Sequence, residues 1–296
     1  MESLRRGLQN RVSTFSGVPY IIPSLILLAI LHLLPILMTL YFSFTNYSVI
    51  DPGRFVGLDN YFSLMSDQAF QTSIWQTMAY TVAVVPLQTL FSLVIAEVIA
   101  KRFRNRFGSF ARSVLFIPVL SSLVLAGIVW RFLLDTDFGL INQLLGIFGI
   151  PNPDWLGQPR LALLSVALVT VWKNVGYFLV IYYAGIMSIN PDLYEAAKID
   201  GAGATKQFFY ITVPSLRSVT LLVVILGTIW SFQVFDVVYT MTGGGPGGGT
   251  TTMVVAIYSA GFQNFTMGYA SAMSMVLLVI IVAVSIVQRR ILGRNK

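Results

Sequence analysis

The residues able to do chemistry are few, and their spacing narrows what they could do. His32 is the only histidine and there is no cysteine, so disulfides and thiolate metal sites are excluded. His32 lies alone in an apolar run, where a hydrogen-bonded packing role is expected. Asp135 and Asp137 are close in sequence, but residues two apart point to different helix faces, so they read as an exposed turn and not as paired carboxylates. GAGATK at 201–206 lacks the G-x-x-x-x-G-K-[ST] spacing and follows no buried strand, so it does not read as a phosphate loop. No catalytic constellation, metal site or cofactor is expected.

What remains is polarity stranded in apolar runs. Lys173 falls about 12 residues inside one such run, near mid-membrane at ~1.5 Å per residue. A cation there is costly and should face a bundle interior or an aqueous cavity. Asn174 is its neighbour and Tyr177 lies one turn on, so the three could offer donors and a ring face to a sugar. Trp230 and Gln233, one turn apart, form a second candidate group, with Asp236 nearer the outer surface. The structural alternative for all of them is hydrogen bonding between helices. Glu97, followed by KRFRNR at 101–106, reads as the inner boundary of a span.

The elements that must position these groups follow from composition. The 296 residues are 56% hydrophobic and only 10% charged, far from the soluble average of about 25% charged. Six segments match the roughly 20 apolar residues needed to cross a bilayer, at about 18–44, 74–100, 110–134, 161–187, 216–239 and 265–288. The expected fold is an all-α membrane protein, one six-helix domain with no internal repeat. Pro35, Pro86 and Pro118 lie inside spans, where neighbouring helices can re-satisfy the freed carbonyls. The basic start MESLRRGLQNR precedes a long apolar run and reads as a retained first span, not a cleaved signal.

The net charge of +7 invites a nucleic-acid reading, but the charges cluster at span ends and form no basic groove. One side collects Arg5, Arg6, Arg11, Lys101, Arg102, Arg104, Arg106, Arg112, Lys198, Lys206, Arg217, Arg289, Arg290, Arg294 and Lys296. The other side holds only Arg54, Arg131 and Arg160. The positive-inside rule then places both termini in the cytoplasm. Among the outward loops, DFGLINQLLGIFG is apolar at helical spacing and the IPNPDWLG turn carries a tryptophan suited to the interface. GGGPGGGT at 243–250 reads as a flexible connection.

A polar insert at 190–214 interrupts the apolar runs on the cytoplasmic side. Asn190-Pro191-Asp192 is a strong helix start, with the helix expected to run to about Ile199. Gly201 and Gly203 permit a turn, and Thr205 to Thr212 can form a second short helix before Pro214 opens the fifth span. Ala196 and Ala197 offer little bulk to an approaching backbone, with Glu195 beside them. By residue pattern alone, a hairpin lying on the membrane surface remains open.

The spacing of Glu195-Ala196-Ala197, Gly201, Ile211 and Val213-Pro214 resembles the EAA signature of importer permeases of the ATP-binding-cassette (ABC) class, with Val213 where the family has Leu. The resemblance implies that Glu195, Ala196, Ala197 and Gly201 belong to a coupling helix seated on a cytoplasmic ATPase subunit. Ser43-Phe44-Thr45, FVGLDNY at 55–61, WKNVGY at 172–177 and TGGGPGGGTTTM at 242–253 are similar to the carbohydrate branch, related to maltose, lactose and glycerol-phosphate permeases. The chain departs from the enteric maltose permease in having no extra N-terminal spans and no large periplasmic insertion. The implied partners are a second homologous permease subunit, two ATP-binding subunits and an extracytoplasmic solute-binding protein, in a bacterial or archaeal cytoplasmic membrane. A secondary transporter driven by an ion gradient would want acids deep in several spans, and a membrane enzyme would want clustered carboxylates or histidines.

Overall fold

The computed structural model describes residues 18–103 and 105–293. Arg5, Arg6, Arg11, Arg104, Arg294 and Lys296, all counted in the charge asymmetry, lie outside the described residues. Four helices are long and apolar enough to cross a bilayer, and two sharply bent pairs bring the number up to six if each pair is one span. Among the described residues, strand pairing occurs only as an isolated antiparallel bridge between Thr45 and Phe55.

Contacts divide the chain into two compact units, the first being residues up to Ser63 with Ala260–Met275. Its first helix, α1, runs through Val18–Leu28, a π-helical turn at Ala29–Leu33 and Leu34–Phe42. Pro35 has no N–H to give back to the preceding turn, and just before it the Leu34 N–H bonds the Ala29 carbonyl. His32 lies exposed in this turn, so the packing role expected for it is not made among the described residues. Beyond α1, the two motif stretches 43–45 and 55–61 form one knot. Asn60 Nδ2, at the start of α2 (Asp59–Ser66), donates to the Ser43 and Thr45 carbonyls at 2.9 and 2.8 Å, and the Tyr61 hydroxyl donates to Ser43 Oγ at 2.7 Å.

The second unit, Leu64–Ser259 with the chain from Val276 on, carries the candidate site residues. Asp67 caps its long helix α3 (Gln68–Arg102), accepting from the Ala69 and Phe70 N–H groups, and Lys101 and Arg102 complement the C-terminal dipole. The expected third span is not one helix. It bends by 96° between α4 (Arg106–Leu120) and α5 (Leu123–Leu133). Ser121 Oγ donates to the Pro118 carbonyl at 2.8 Å and Ser122 Oγ accepts the Leu125 N–H at 3.1 Å, so adjacent hydroxyls close one helix and cap the next. A loop with a short helix, α6 (Leu140–Ile147), leads to α7 (Pro159–Met187). α3 and α7 pack side by side, burying Tyr80, Val84, Phe178 and Tyr182. Tyr80 donates to Thr170 Oγ1 at 2.7 Å and Ser92 to the Val175 carbonyl at 3.0 Å, the polar pairing expected where lipid offers no hydrogen bonds.

The polar insert folds as α8 (Pro191–Ile199) and α9 (Ala204–Ser215), followed after a 69° bend by α10 (Arg217–Phe232). Pro214 therefore closes α9 and does not open the fifth span; the bend falls at Leu216, which is buried against Gly185. The fifth span also ends earlier than expected, at Phe232, and a separate helix α11 (Asp236–Thr242) follows. Nor is the glycine-rich stretch a loose connection. Gly243, Gly244, Gly247 and Gly248 adopt positive φ, and threonines stitch the turn: Thr250 Oγ1 donates to the Gly245 carbonyl at 2.7 Å and Thr251 Oγ1 to that of Gly244 at 2.9 Å. Thr252 reaches the Val234 carbonyl, and the Met253 N–H at the head of α12 (Met253–Tyr258) bonds Thr77 on α3. The last long helix, α13 (Met267–Leu292), ends in Arg289 and Arg290.

Candidate functional site

The insert forms a hairpin whose geometry starts with its caps. Asn190 Oδ1 accepts the Asp192 N–H at 3.0 Å, and Gly201 at φ +75° ends α8 in the left-handed conformation that favours glycine. The Gly201 N–H bonds the Lys198 carbonyl at 3.0 Å and the Ala202 N–H that of Ala197 at 2.8 Å. Gln207, buried, donates back to the Ala202 carbonyl and ties α9 to the turn. Glu195, Ala196 and Gly201 are exposed and Ala197 half-buried, next to exposed Leu193 and Ile199. Three of the four EAA-type positions thus lie on the exposed surface of the hairpin.

Behind that surface the hairpin is fastened to the basic end of α3. Tyr194 and Thr212 share a hydrogen bond of 2.9 Å, and Thr212 Oγ1 donates to Glu97 Oε1 at 3.2 Å. Lys101 pairs with the same Glu97 oxygen at 2.5 Å and sits 4.6 Å from the Tyr194 ring centroid. Glu97 is therefore more than a span boundary: it is a buried junction joining α8, α9 and α3. Sequence offered little signal, because Thr212 on α9 is separated from Glu97 on α3 by five intervening helices, α4 to α8.

The solute-path candidates do not converge on one point. The WKNVGY stretch of α7 spreads its side chains over several helices. Lys173 Nζ donates to the Val119 carbonyl at 3.4 Å, one of those the α4–α5 break leaves without a helical partner, at the negative end of the α4 dipole. Asn174 Nδ2 donates to Oε1 of fully buried Gln88 at 3.1 Å. Gly176 packs on the Leu115 carbonyl and Gly227 of α10 on the Gln88 amide. The structure does bring Tyr177 and Trp230 together, with ring centroids 5.1 Å apart, and Trp172 meets Trp130 at 5.4 Å. Gln233 stands exposed at the C-terminal cap of α10, outside this cluster. Gln88 was missed in the sequence; a glutamine inside an apolar run two residues past a proline was the available signal.

Long apolar helices with an exposed, capped hairpin beside the basic end of α3 fit a multi-pass membrane component. Residues 2–296 match the family described as the binding-protein-dependent transport system inner membrane component, and the chain belongs to that family. It is 34% identical over 293 residues to a probable ABC transporter permease, YurN, of Bacillus subtilis, covering 97% of this chain and 98% of that protein. It is 32% identical over 277 residues to the trehalose/maltose transport system permease MalF of Thermococcus litoralis, covering 93% and 92%. Its fold matches a chain of a bacterial alginate ABC transporter crystallised with an alginate pentasaccharide-bound periplasmic protein, with a TM-score of 0.82 at 23% identity over 97% and 99% of the two chains. The chain is a transport component and not the ATP-hydrolysing subunit.

Proposed function

We propose that this chain is one half of the translocation path of a binding-protein-dependent ABC importer for a sugar or sugar derivative, in a bacterial or archaeal cytoplasmic membrane. Residues 190–214 would receive the motion of a cytoplasmic ATPase subunit. A second homologous permease, a second ATP-binding subunit and an extracytoplasmic solute-binding protein would complete the assembly. The observation that carries this reading is the hairpin: Glu195 and Ala196 exposed on a helix capped at both ends and fastened through Tyr194 and Thr212 to α3. A push on α8 then reaches a long spanning helix through short, directional contacts. The trehalose/maltose relative supports the sugar class.

For the solute path we propose the Tyr177–Trp230 pair as the ring platform, with Lys173, Asn174 and Gln233 as polar contributors as the halves rearrange. The test of the coupling role is Glu195→Ala and Gly201→Asp in the assembled transporter. Both are expected to insert normally and to lower solute uptake by about tenfold or more, equivalent to ~1.4 kcal/mol of coupling. Wild-type uptake and wild-type stimulation of ATP hydrolysis in both variants would overturn it.

A further inference from the structure

The loop between α5 and α7 carries an apolar face that the transport reading does not use. Phe138, Ile147 and Phe148 are 83%, 76% and 78% exposed, and Leu140, Leu144 and Ile150 are exposed beside them. From Phe138 to Pro153 the chain carries no charged side chain. Of the two polar side chains of α6, buried Asn142 turns inward, while exposed Gln143 folds back on the backbone of its own loop. Asn142 Nδ2 donates to the Thr136 and Pro153 carbonyls at 3.2 Å each, and its Oδ1 accepts from the Trp155 indole at 2.8 Å. Gln143 Nε2 returns to the Phe138 carbonyl at 3.0 Å. The exposed surface of α6 is thus mostly apolar, with Gln143 the polar side chain on it.

We propose that α6 and the turn after it lie in the membrane–water boundary, with lipid covering this face. Depth supports lipid. Ser165 donates to the Trp155 carbonyl at 3.4 Å, so the loop sits beside the first turns of α7 and not above them. At the far end of α7, the Arg112 guanidinium lies 3.9 Å from the Tyr183 ring, a cation marking the opposite boundary. The rise from Ser165 to Tyr183 is about 27 Å, close to the ~30 Å hydrocarbon core. The loop is therefore level with one edge of that core, while Asp135, Asp137 and Asp154 mark its wet side. Interfacial helices bury an apolar face several ångströms into the headgroup region.

The absence of cysteine permits a direct test in the assembled transporter in lipid nanodiscs. Single variants Ile147→Cys and Phe148→Cys carry a nitroxide label, with Asp137→Cys as the wet-side reference and Leu144→Cys as a second reporter should either fail to assemble. Power-saturation measurements are expected to give oxygen collisions dominating at 147 and 148, with the opposite sign at 137, where a water-soluble nickel chelate dominates. Nickel-chelate access at 147 and 148 overturns the proposal in favour of an aqueous loop. Protection from both reagents overturns it in favour of a protein partner on that face.

Discussion

Glu97 shows how much a single buried carboxylate can organise. One of its oxygens takes both the Lys101 ammonium and the Thr212 hydroxyl, and Thr212 in turn holds Tyr194. Removing it takes the acceptor from the buried Thr212 hydroxyl, which then keeps only Tyr194, and the ion-pair partner from exposed Lys101; losing a buried acceptor costs about 1–3 kcal/mol. Glu97→Ala is therefore expected to lower the thermal midpoint of the purified transporter and to reduce solute moved per ATP hydrolysed. Glu97→Gln keeps an acceptor for Thr212 and should fall between it and the wild type. Unchanged midpoints and an unchanged transport-to-hydrolysis ratio in both would remove Glu97 from the coupling path. The sequence placed Glu195 and Gly201 on the hairpin because their spacing is local. It could not place Glu97, because that role depends on contacts 115 positions apart.

At the scale of elements, α7 approaches its neighbours through small residues. A Cβ added at Gly176 would meet the Leu115 carbonyl of α4, and backbone cannot step aside as a flexible side chain can. Overpacking of this kind costs about 1–3 kcal/mol, so Gly176→Ala is expected to depress thermal stability and Gly176→Leu to abolish assembly, read by size-exclusion chromatography of the solubilised protein. Gly203 has nothing within 4 Å of its added Cβ and a φ of −70°; Gly203→Ala should leave both readouts near wild type. A pair of variants equal in effect would mean that close helix approach does not govern packing here. The same contrast explains which elements were legible. The apolar runs at 161–187 and 265–288 coincide with the helices Pro159–Met187 and Met267–Leu292 to within a few residues, as expected where lipid would impose length and apolarity directly. The bends at Ser121 and Leu216 escaped, because hydropathy continues across them while hydroxyl caps and a buried leucine set the angle. The glycine-rich turn escaped for a related reason: its order comes from threonine hydroxyls on glycine carbonyls, not from its own side-chain bulk.

For the whole molecule the decisive quantity is the side on which the hairpin lies. On the six-span topology expected from the sequence, lysine and arginine would crowd one set of span ends and be sparse at the other, a bias that governs insertion because short basic loops resist translocation. Within the second unit, Asp137 lies before α7 and Lys206 after it, so a single crossing by that helix would place the two residues on opposite faces. Both are exposed. On a background with no cysteine, a membrane-impermeant maleimide added to intact cells is expected to label Asp137→Cys and to spare Lys206→Cys. In inverted vesicles the pattern should reverse, and bound ATPase subunits should slow the reaction at 206 without affecting 137. Labelling of both positions from one side would mean that α7 does not cross. The inverse pattern, with position 206 reactive from outside, would put the hairpin beyond the reach of any cytoplasmic ATPase and end the coupling reading together with its orientation.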